Sequence, residues 1–123
     1  MVMEVNGYKI EPGANLSNAD LAASNLSNAD LSGANLAGAD LSGANLVRAH
    51  LTLAHMTNVK LSGAHMTYTN LSNADLSGAN LSGANLYEAN LTFANLTNAN
   101  LMNANLTNAN VRGATMPNGT TLD

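Results

Sequence analysis

The sequence contains no cysteine and no tryptophan, and its aromatic residues are one phenylalanine and three tyrosines. The absence of cysteine excludes disulfides and thiol chemistry, although it does not indicate a compartment. With so few rings available, a globular core built on large aromatic side chains is excluded. Charged residues make up 10% of the chain, and the formal net charge is −4. This weakly acidic balance argues against nonspecific binding to nucleic acid.

Long apolar runs are also missing from the sequence. No segment approaches the length of about 20 apolar residues that a membrane-spanning helix needs, so no membrane span is predicted. Residues 1–13 lack a basic start followed by an apolar run, and no signal peptide is therefore predicted. These two observations make the cytoplasm the default expectation for location.

What the sequence has in abundance is a five-residue repeat, seen most clearly over residues 74–86 as Ala-Asp-Leu-Ser-Gly-Ala-Asn-Leu-Ser-Gly-Ala-Asn-Leu. A central Leu, Met or Val recurs every five residues from Leu16 to Met116, which gives twenty-one units without an insertion. A period of five matches neither the α-helical repeat nor the two-residue alternation of a strand. Each unit must therefore contain its own bend.

The residue types within the unit predict where that bend lies. The alanine two positions before the leucine and the leucine itself point to the same side of a short extended piece, and the Asn, Asp or His between them points outward. Ser or Thr and then Gly or Asn follow the leucine, and these are turn residues that tolerate a positive φ. Each pentapeptide is thus predicted to form one side and one corner of a coil.

These A-[D/N]-L-x-x units resemble the pentapeptide-repeat family over most of the chain, and the closing Met-Pro-Asn-Gly-Thr is similar to the end of cyanobacterial-type members. The resemblance implies an all-β fold, a right-handed quadrilateral parallel β-helix of about five coils with four pentapeptides per coil. The extent of the repeat divides the chain into an N-terminal cap (1–13), the repeat array (14–116) and a C-terminal turn and tail (117–123). In the cap, a hairpin turn at Asn6-Gly7 is flanked by apolar residues, namely Val2, Val5, Tyr8 and Ile10.

If four units form a coil, residues 20 apart stack in one column. One corner column then contains Arg48, Tyr68 and Glu88, and we expect a cation–π contact between Arg48 and Tyr68 with Tyr87 beside them. The next corner column places Leu53 and Phe93 on the surface. Arg and Tyr are enriched at protein-binding hot spots. We therefore predict a partner-binding patch formed by Arg48, Tyr68, Tyr87, Glu88, Leu53 and Phe93. The alternative is a ladder of self-contacts that only stiffens the rod.

Catalytic, metal and cofactor sites are not predicted. The residues His50, His55 and His65 fall on three different sides of the coil, so they cannot converge on one ion. Asp20 and Asp40 share a column with Lys60 on a flat side that offers no cleft for acid–base chemistry. Asparagine columns such as Asn85 and Asn105 are expected to form amide ladders.

The sequence therefore predicts a noncatalytic structural or protein-interaction module with an unknown protein partner and no cofactor, as a monomer or a weak end-to-end homo-oligomer. The alternative that the resemblance implies is a mimic of duplex DNA that modulates DNA gyrase. This chain departs from such proteins because its acidic residues are few, no loop interrupts the array, and the C-terminal segment through which those proteins dimerise is missing.

Overall fold

The structure, a computed structural model, describes residues 3–123. The predicted contribution of Val2 to the N-terminal cap lies outside these residues. Strands β1 (Met3–Val5) and β2 (Tyr8–Ile10) pair antiparallel around the turn at Asn6 and Gly7, as the turn pair predicts. The described residues contain no α-helix. Within them, no helix is long and apolar enough to cross a membrane.

The repeat array forms a parallel β-solenoid in which each pentapeptide contributes a single bridged residue. The bridges run without a gap from Asn15 paired with Asn35 to Asn95 paired with Thr115, and every pair is parallel and 20 residues apart. Because four pentapeptides separate the two members of each pair, one turn of the chain takes four units. The predicted all-β architecture with one bend in each unit is therefore confirmed.

Backbone hydrogen bonds between successive coils satisfy the polar groups of each unit. In the unit centred on Leu36, the Leu36 N–H donates to the His55 carbonyl at 2.7 Å, and the Gly38 N–H donates to the Thr57 carbonyl at 2.9 Å. The His55 N–H returns a bond to the Ala34 carbonyl at 2.9 Å. Pairing of this kind removes the cost of burying unsatisfied amides, so the stack can be thin and still be stable.

A tight turn in the left-handed region forms each corner. The Ala39 N–H donates to the Leu36 carbonyl at 3.0 Å and closes a four-residue turn, whose third residue, Gly38, has φ +67°. A positive φ at the third position is the requirement of a type II turn, and it explains the preference for Gly and Asn there. The side chain of Asn18, one coil earlier, lies over the Gly38 Cα where a Cβ would stand.

Leucine and alanine from the inward positions fill the core of the solenoid. From Leu21 to Leu96 every central residue is fully buried. Residues 47–69 depart from the repeat sequence, yet Met56 and Met66 are buried there without a change of register. The hydroxyl of the inward-facing Thr69 donates to the Leu46 carbonyl at 2.7 Å, which satisfies this buried polar group.

The N-terminal end of the stack lies under the hairpin. Ile10 is 5% exposed, and Val5 and Tyr8 pack against the core. The Asn6 side-chain amide donates to the Asp20 carbonyl at 3.1 Å, so the hairpin also covers an edge group of the first coil.

The C-terminal end of the stack is covered on one side. Thr121 pairs antiparallel with Thr115, and the Leu122 N–H donates to the Ala114 carbonyl at 2.9 Å. In the described part of the chain, the N–H groups of Leu101 and Leu106 donate to no backbone carbonyl, whereas their counterparts one coil earlier do. The remaining sides of the last coil therefore present an unpaired strand edge.

The inward alanines set the width of the coil, which predicts a large penalty for enlarging one. Ala79 is 1% exposed between fully buried leucines, so Ala79→Leu should overpack the core and destabilise the chain by about 1–3 kcal/mol. The outward neighbour change Asn80→Asp should be mild, within about 0.5 kcal/mol, because Asp20 and Asp40 occupy the same column. Urea unfolding of both variants measures the difference, and equal midpoints would contradict the inward assignment of Ala79.

Candidate functional site

Side chains other than Asn and Gly occupy only a few of the left-handed corners. Positive φ values near 60° are found at Ala23 and at five bulky residues, which are Arg48, Leu53, Tyr68, Glu88 and Phe93. The left-handed region is unfavourable for such side chains by about 1–2 kcal/mol per residue. All five bulky residues belong to the predicted partner-binding patch, and they lie in two adjacent corner columns.

The first of these columns, here called the arginine–tyrosine ridge, consists of Arg48, Tyr68 and Glu88. The Arg48 guanidinium carbon lies 4.8 Å from the centre of the Tyr68 ring, which confirms the expected cation–π contact. Tyr87 meets Tyr68 edge to face with ring centroids 6.0 Å apart. Tyr68 remains 47% exposed, so its stacking with these neighbours fixes the ring without covering it.

The second column, here called the leucine–phenylalanine ridge, consists of Leu53, Asn73 and Phe93. Leu53 and Phe93 are each 61% exposed, which is unusual for such large apolar side chains. The Phe93 ring lies over Gly113, where a Cβ would come within 2.5 Å of ring carbons. Beyond Phe93, a surface cavity of about 390 Å³ opens towards the C-terminal tail and is lined by Phe93, Arg112, Gly113, Thr121, Leu122 and Asp123.

One side of the solenoid lies between the two ridges, and its outward residues His50, Asn70 and Asn90 are here called the floor. The Ser72 N–H donates to Asn70 Oδ1 and the Thr92 N–H to Asn90 Oδ1, each at 3.0 Å. The same contact to the residue two positions later recurs around the array, for instance from Tyr87 to Asn85 Oδ1. Among the described residues no side-chain hydrogen bond joins asparagines 20 residues apart, so the amide-ladder prediction is wrong, and these Oδ1 atoms instead accept a bond from their own corner.

Carboxylates take the same role at outward positions. The Ser32 hydroxyl and N–H donate to Asp30 Oδ1 at 2.7 and 3.1 Å, and these bonds, helped by the nearby His50, lower the pKa of Asp30. The pKa of Asp40 is likewise lowered, first by the Ser42 N–H and more weakly by Lys60. Both carboxylates thus serve the local turn, and neither is adapted for proton transfer near neutral pH.

The structure separates the other polar residues that the sequence singles out. His50 is bridged with Asp30, His55 with Asp75, and His65 with Asn85, on three different sides of the solenoid. Residues 3–123 contain no group of three His, Cys, Asp or Glu side chains that could hold a metal ion. Asp20, Asp40 and Lys60 stack in one column, as predicted.

Three features of this surface were missed by reasoning from the sequence. The strain at the ridges had a signal in the sequence, because bulky residues replace Gly or Asn at the corner position. The prediction considered only which residue types would be exposed. The orientation of the floor amides gave no sequence signal, because an outward asparagine is equally compatible with a ladder or a local turn. The cavity beside Phe93 depends on where residues 120–123 fold back, and the repeat carries no information about that path.

The stacked five-residue units define the chain as a parallel β-solenoid protein with a surface that varies only at its corners and outward positions. It belongs to the pentapeptide-repeat family, since the family model "Pentapeptide repeats" matches eight copies over residues 14–52, 54–92 and 84–118.

Solved structures of the family resemble this fold. The pentapeptide repeat protein Rfr23 from the cyanobacterium Cyanothece is 37% identical, with a TM-score of 0.72, and the match covers 76% of this chain and 64% of Rfr23. A pentapeptide repeat protein of the Arabidopsis thaliana thylakoid lumen is 36% identical, with a TM-score of 0.67, over 69% of this chain and 59% of its own. The chain therefore spans less than two thirds of either relative.

A trypsin-treated form of QnrB1, a plasmid-mediated fluoroquinolone resistance protein, is also similar. It is 25% identical, with a TM-score of 0.58, over 91% of this chain and 68% of QnrB1. No curated protein matches the sequence significantly.

The strained corners predict that removing an exposed ridge residue stabilises the fold. Leu53 has φ +62° and is largely exposed, so Leu53→Asn should raise the free energy of unfolding by about 0.5–1 kcal/mol. The reverse change one coil later in the same column, Asn73→Leu, should lower it by a similar amount because Asn73 has φ +58°. Thermal and urea unfolding test this pair, and a destabilised Leu53→Asn would show that Leu53 is not strained.

Proposed function

We propose that the chain is a noncatalytic protein-interaction module whose protein partner binds the arginine–tyrosine and leucine–phenylalanine ridges. The observation that carries the proposal is the concentration of bulky left-handed residues at these two columns. Backbone strain of this kind persists where function requires a particular side chain. At most other corners the chain uses Gly or Asn, which have the same conformation at lower cost.

The composition of the ridges supports a protein partner rather than a purely structural role. Self-contacts that only stiffen the rod explain the Arg48–Tyr68 and Tyr68–Tyr87 pairs, but they do not explain Leu53, which is 61% exposed. Exposed apolar and aromatic side chains beside an arginine are the composition of protein-binding hot spots. The flat sides offer no enclosed site in which a substrate could be desolvated, so we propose no enzymatic activity.

A ridge variant with a matched control tests this function. The ridge variant combines Leu53→Asn, Tyr68→Asn and Phe93→Asn, and the control combines Gly43→Asn, Gly63→Asn and Gly83→Asn in another corner column. Both place three asparagines at positive-φ corners, where Asn is already common, so both should fold. We expect affinity capture from a lysate of the source organism to recover a protein with wild type and control, and at least about tenfold less of it with the ridge variant.

Equal recovery of that protein by the wild type, the control and the folded ridge variant would rule out the ridges as the binding site. Recovery of no specific protein by the wild type would overturn the interaction module itself. Circular dichroism and thermal unfolding of all three proteins establish that a loss of capture is not a loss of fold.

The second candidate function is modulation of DNA gyrase by mimicry of duplex DNA. The similarity to the fluoroquinolone resistance protein QnrB1 over 91% of this chain favours it. The sparse charge opposes it, because a DNA mimic needs long rows of carboxylates and this chain has eight acidic residues against four basic ones. On this alternative, micromolar protein should inhibit supercoiling by purified gyrase or protect the enzyme from a fluoroquinolone. An unchanged supercoiling assay in both conditions would remove it.

We propose a right-handed quadrilateral solenoid of about five coils, the form that the family resemblance implies, and a crystal structure would test the handedness. The assembly that we propose is a monomer or a weak end-to-end homo-oligomer, in which strand edges at the ends of the stack would pair. Sedimentation equilibrium distinguishes the two states.

A further inference from the structure

The floor between the two ridges is a row of hydrogen-bond donors. The Oδ1 atoms of Asn70 and Asn90 accept bonds from Ser72 and Thr92, and Asn90 Oδ1 also accepts from the Thr92 hydroxyl at 2.8 Å. Each Nδ2 group therefore points away from its corner, and among the described residues neither has a protein acceptor. Because one coil separates them, these donors repeat at about 4.8 Å along the rod. A ligand on the floor must supply acceptors.

Arg48 adds a fixed cation at one edge of the floor. Its guanidinium stacks on Tyr68 at 4.8 Å, and within residues 3–123 it forms no ion pair with a carboxylate. Stacking on a ring leaves the N–H groups at the guanidinium edge available, and their planar fork matches a carboxylate. Since Tyr68 already orients the group, a partner carboxylate would lose little additional side-chain entropy on binding.

Arg112 provides a second cation at the far end of the same side. It lies three coils beyond the coil of Arg48, because Thr52, Ser72, Thr92 and Arg112 share one column. Three coil spacings correspond to about 14 Å along the rod, and Arg112 is also displaced across the side, because it follows the side that Arg48 precedes. Four residues of extended chain span about 13 Å. The long arginine and glutamate side chains cover the displacement across the side, so two acidic residues four positions apart on an extended segment would meet both arginines.

The two arginines, rather than the net charge around them, make this side suitable for an acidic ligand. The chain has eight acidic and four basic residues, and two of the four basic residues, Arg48 and Arg112, border this side. Three carboxylates lie nearby. Glu88 accepts a bond from Asn108 Nδ2 at 3.4 Å, and Asp30 lies at the N-terminal end of the side. Asp123 lines the cavity beside Arg112. They limit the negative charge that the side tolerates, so single carboxylates are favoured over a doubly charged phosphate.

From these four observations we infer that the segment bound between the ridges is an extended acidic peptide of the partner protein, with two carboxylates four residues apart. The carboxylates bind Arg48 and Arg112, the backbone carbonyls accept bonds from Asn70 and Asn90, and apolar side chains pack on Leu53, Tyr68 and Phe93. The inference rests on the proposed interaction function and specifies the partner of the same surface.

A synthetic peptide tests the chemistry directly. The probe is acetyl-Ser-Glu-Leu-Thr-Leu-Glu-Ser-amide, and its control replaces both glutamates by glutamine. Titrated into the isotopically labelled chain, the acidic peptide should shift the side-chain amide resonances of Asn70 and Asn90. We expect the glutamine peptide to bind at least about fivefold more weakly, because charge-assisted bonds are roughly twice as strong as neutral ones.

Two matched variants separate recognition by Arg48 from general attraction to positive charge. Arg48→Asn should weaken binding of the acidic peptide by about fivefold or more, whereas Lys60→Asn, which removes the same charge from the opposite side of the solenoid, should change it less than about twofold. Both substitutions introduce asparagine at positions where other coils already carry it.

Several results would overturn the inference. The acidic ligand is wrong if the glutamine peptide binds as tightly as the acidic peptide, or if Arg48→Asn and Lys60→Asn weaken binding equally. It is also wrong if the acidic peptide shifts resonances only on another side of the rod, or shifts none at a peptide concentration of about 1 mM, which would detect even a weak contact. If the peptide fails while a captured protein is still lost from the ridge variant, the acidic ligand is wrong and the interaction module stands. If both experiments fail, the interaction module falls as well.

Discussion

The left-handed corner at every fifth residue is the constraint on which the rest of this structure depends. A side of three residues is too short to form a stable strand alone, and it becomes stable only when the next coil presents an identical side in register. The corner makes that possible by turning the chain sharply, as at Gly38, where φ is +67°. Because every unit turns in the same way, the bridges between residues 20 apart follow without interruption.

The same constraint determines what the surface can display. Inward positions must hold Leu, Ala or residues of similar volume, so variation is confined to corners and outward positions. At the corner, however, any side chain other than Gly or Asn adds strain. The ridges formed by Arg48, Tyr68, Glu88, Leu53 and Phe93 therefore lower the stability of the array locally, and the regular coils around them supply the compensating packing and hydrogen bonds. This is the physical reason to regard the ridges as functional and the Asn and Gly corners as structural.

Local turns also determine the polarity of the flat sides. An outward Asn or Asp uses Oδ1 to accept the N–H two residues later, as Asn70 does for Ser72 and Asp30 for Ser32. Asparagine then exposes donors, whereas aspartate exposes a second acceptor and a negative charge. The choice between these two residues thus converts one backbone scaffold into sides of different electrostatic character. A side rich in asparagine and bordered by arginine suits a ligand that carries acceptors.

The period of five residues and the residue types within each unit were sufficient to predict the bend, the inward leucines and alanines, and the outward Asn and Asp. This succeeded because the same local geometry recurs from Leu16 to Met116, so every unit repeats the evidence for it. The stacking of Arg48 on Tyr68 was also predictable once residues 20 apart were assigned to one column. In contrast, only the tertiary structure decided that Asn70 bonds to its own corner rather than to a neighbouring asparagine, because an outward amide is compatible with both arrangements. It also decided that Thr121 folds back onto Thr115 and that the edge at Leu101 and Leu106 stays unpaired, since the path of a chain beyond its last repeat depends on contacts that no period encodes.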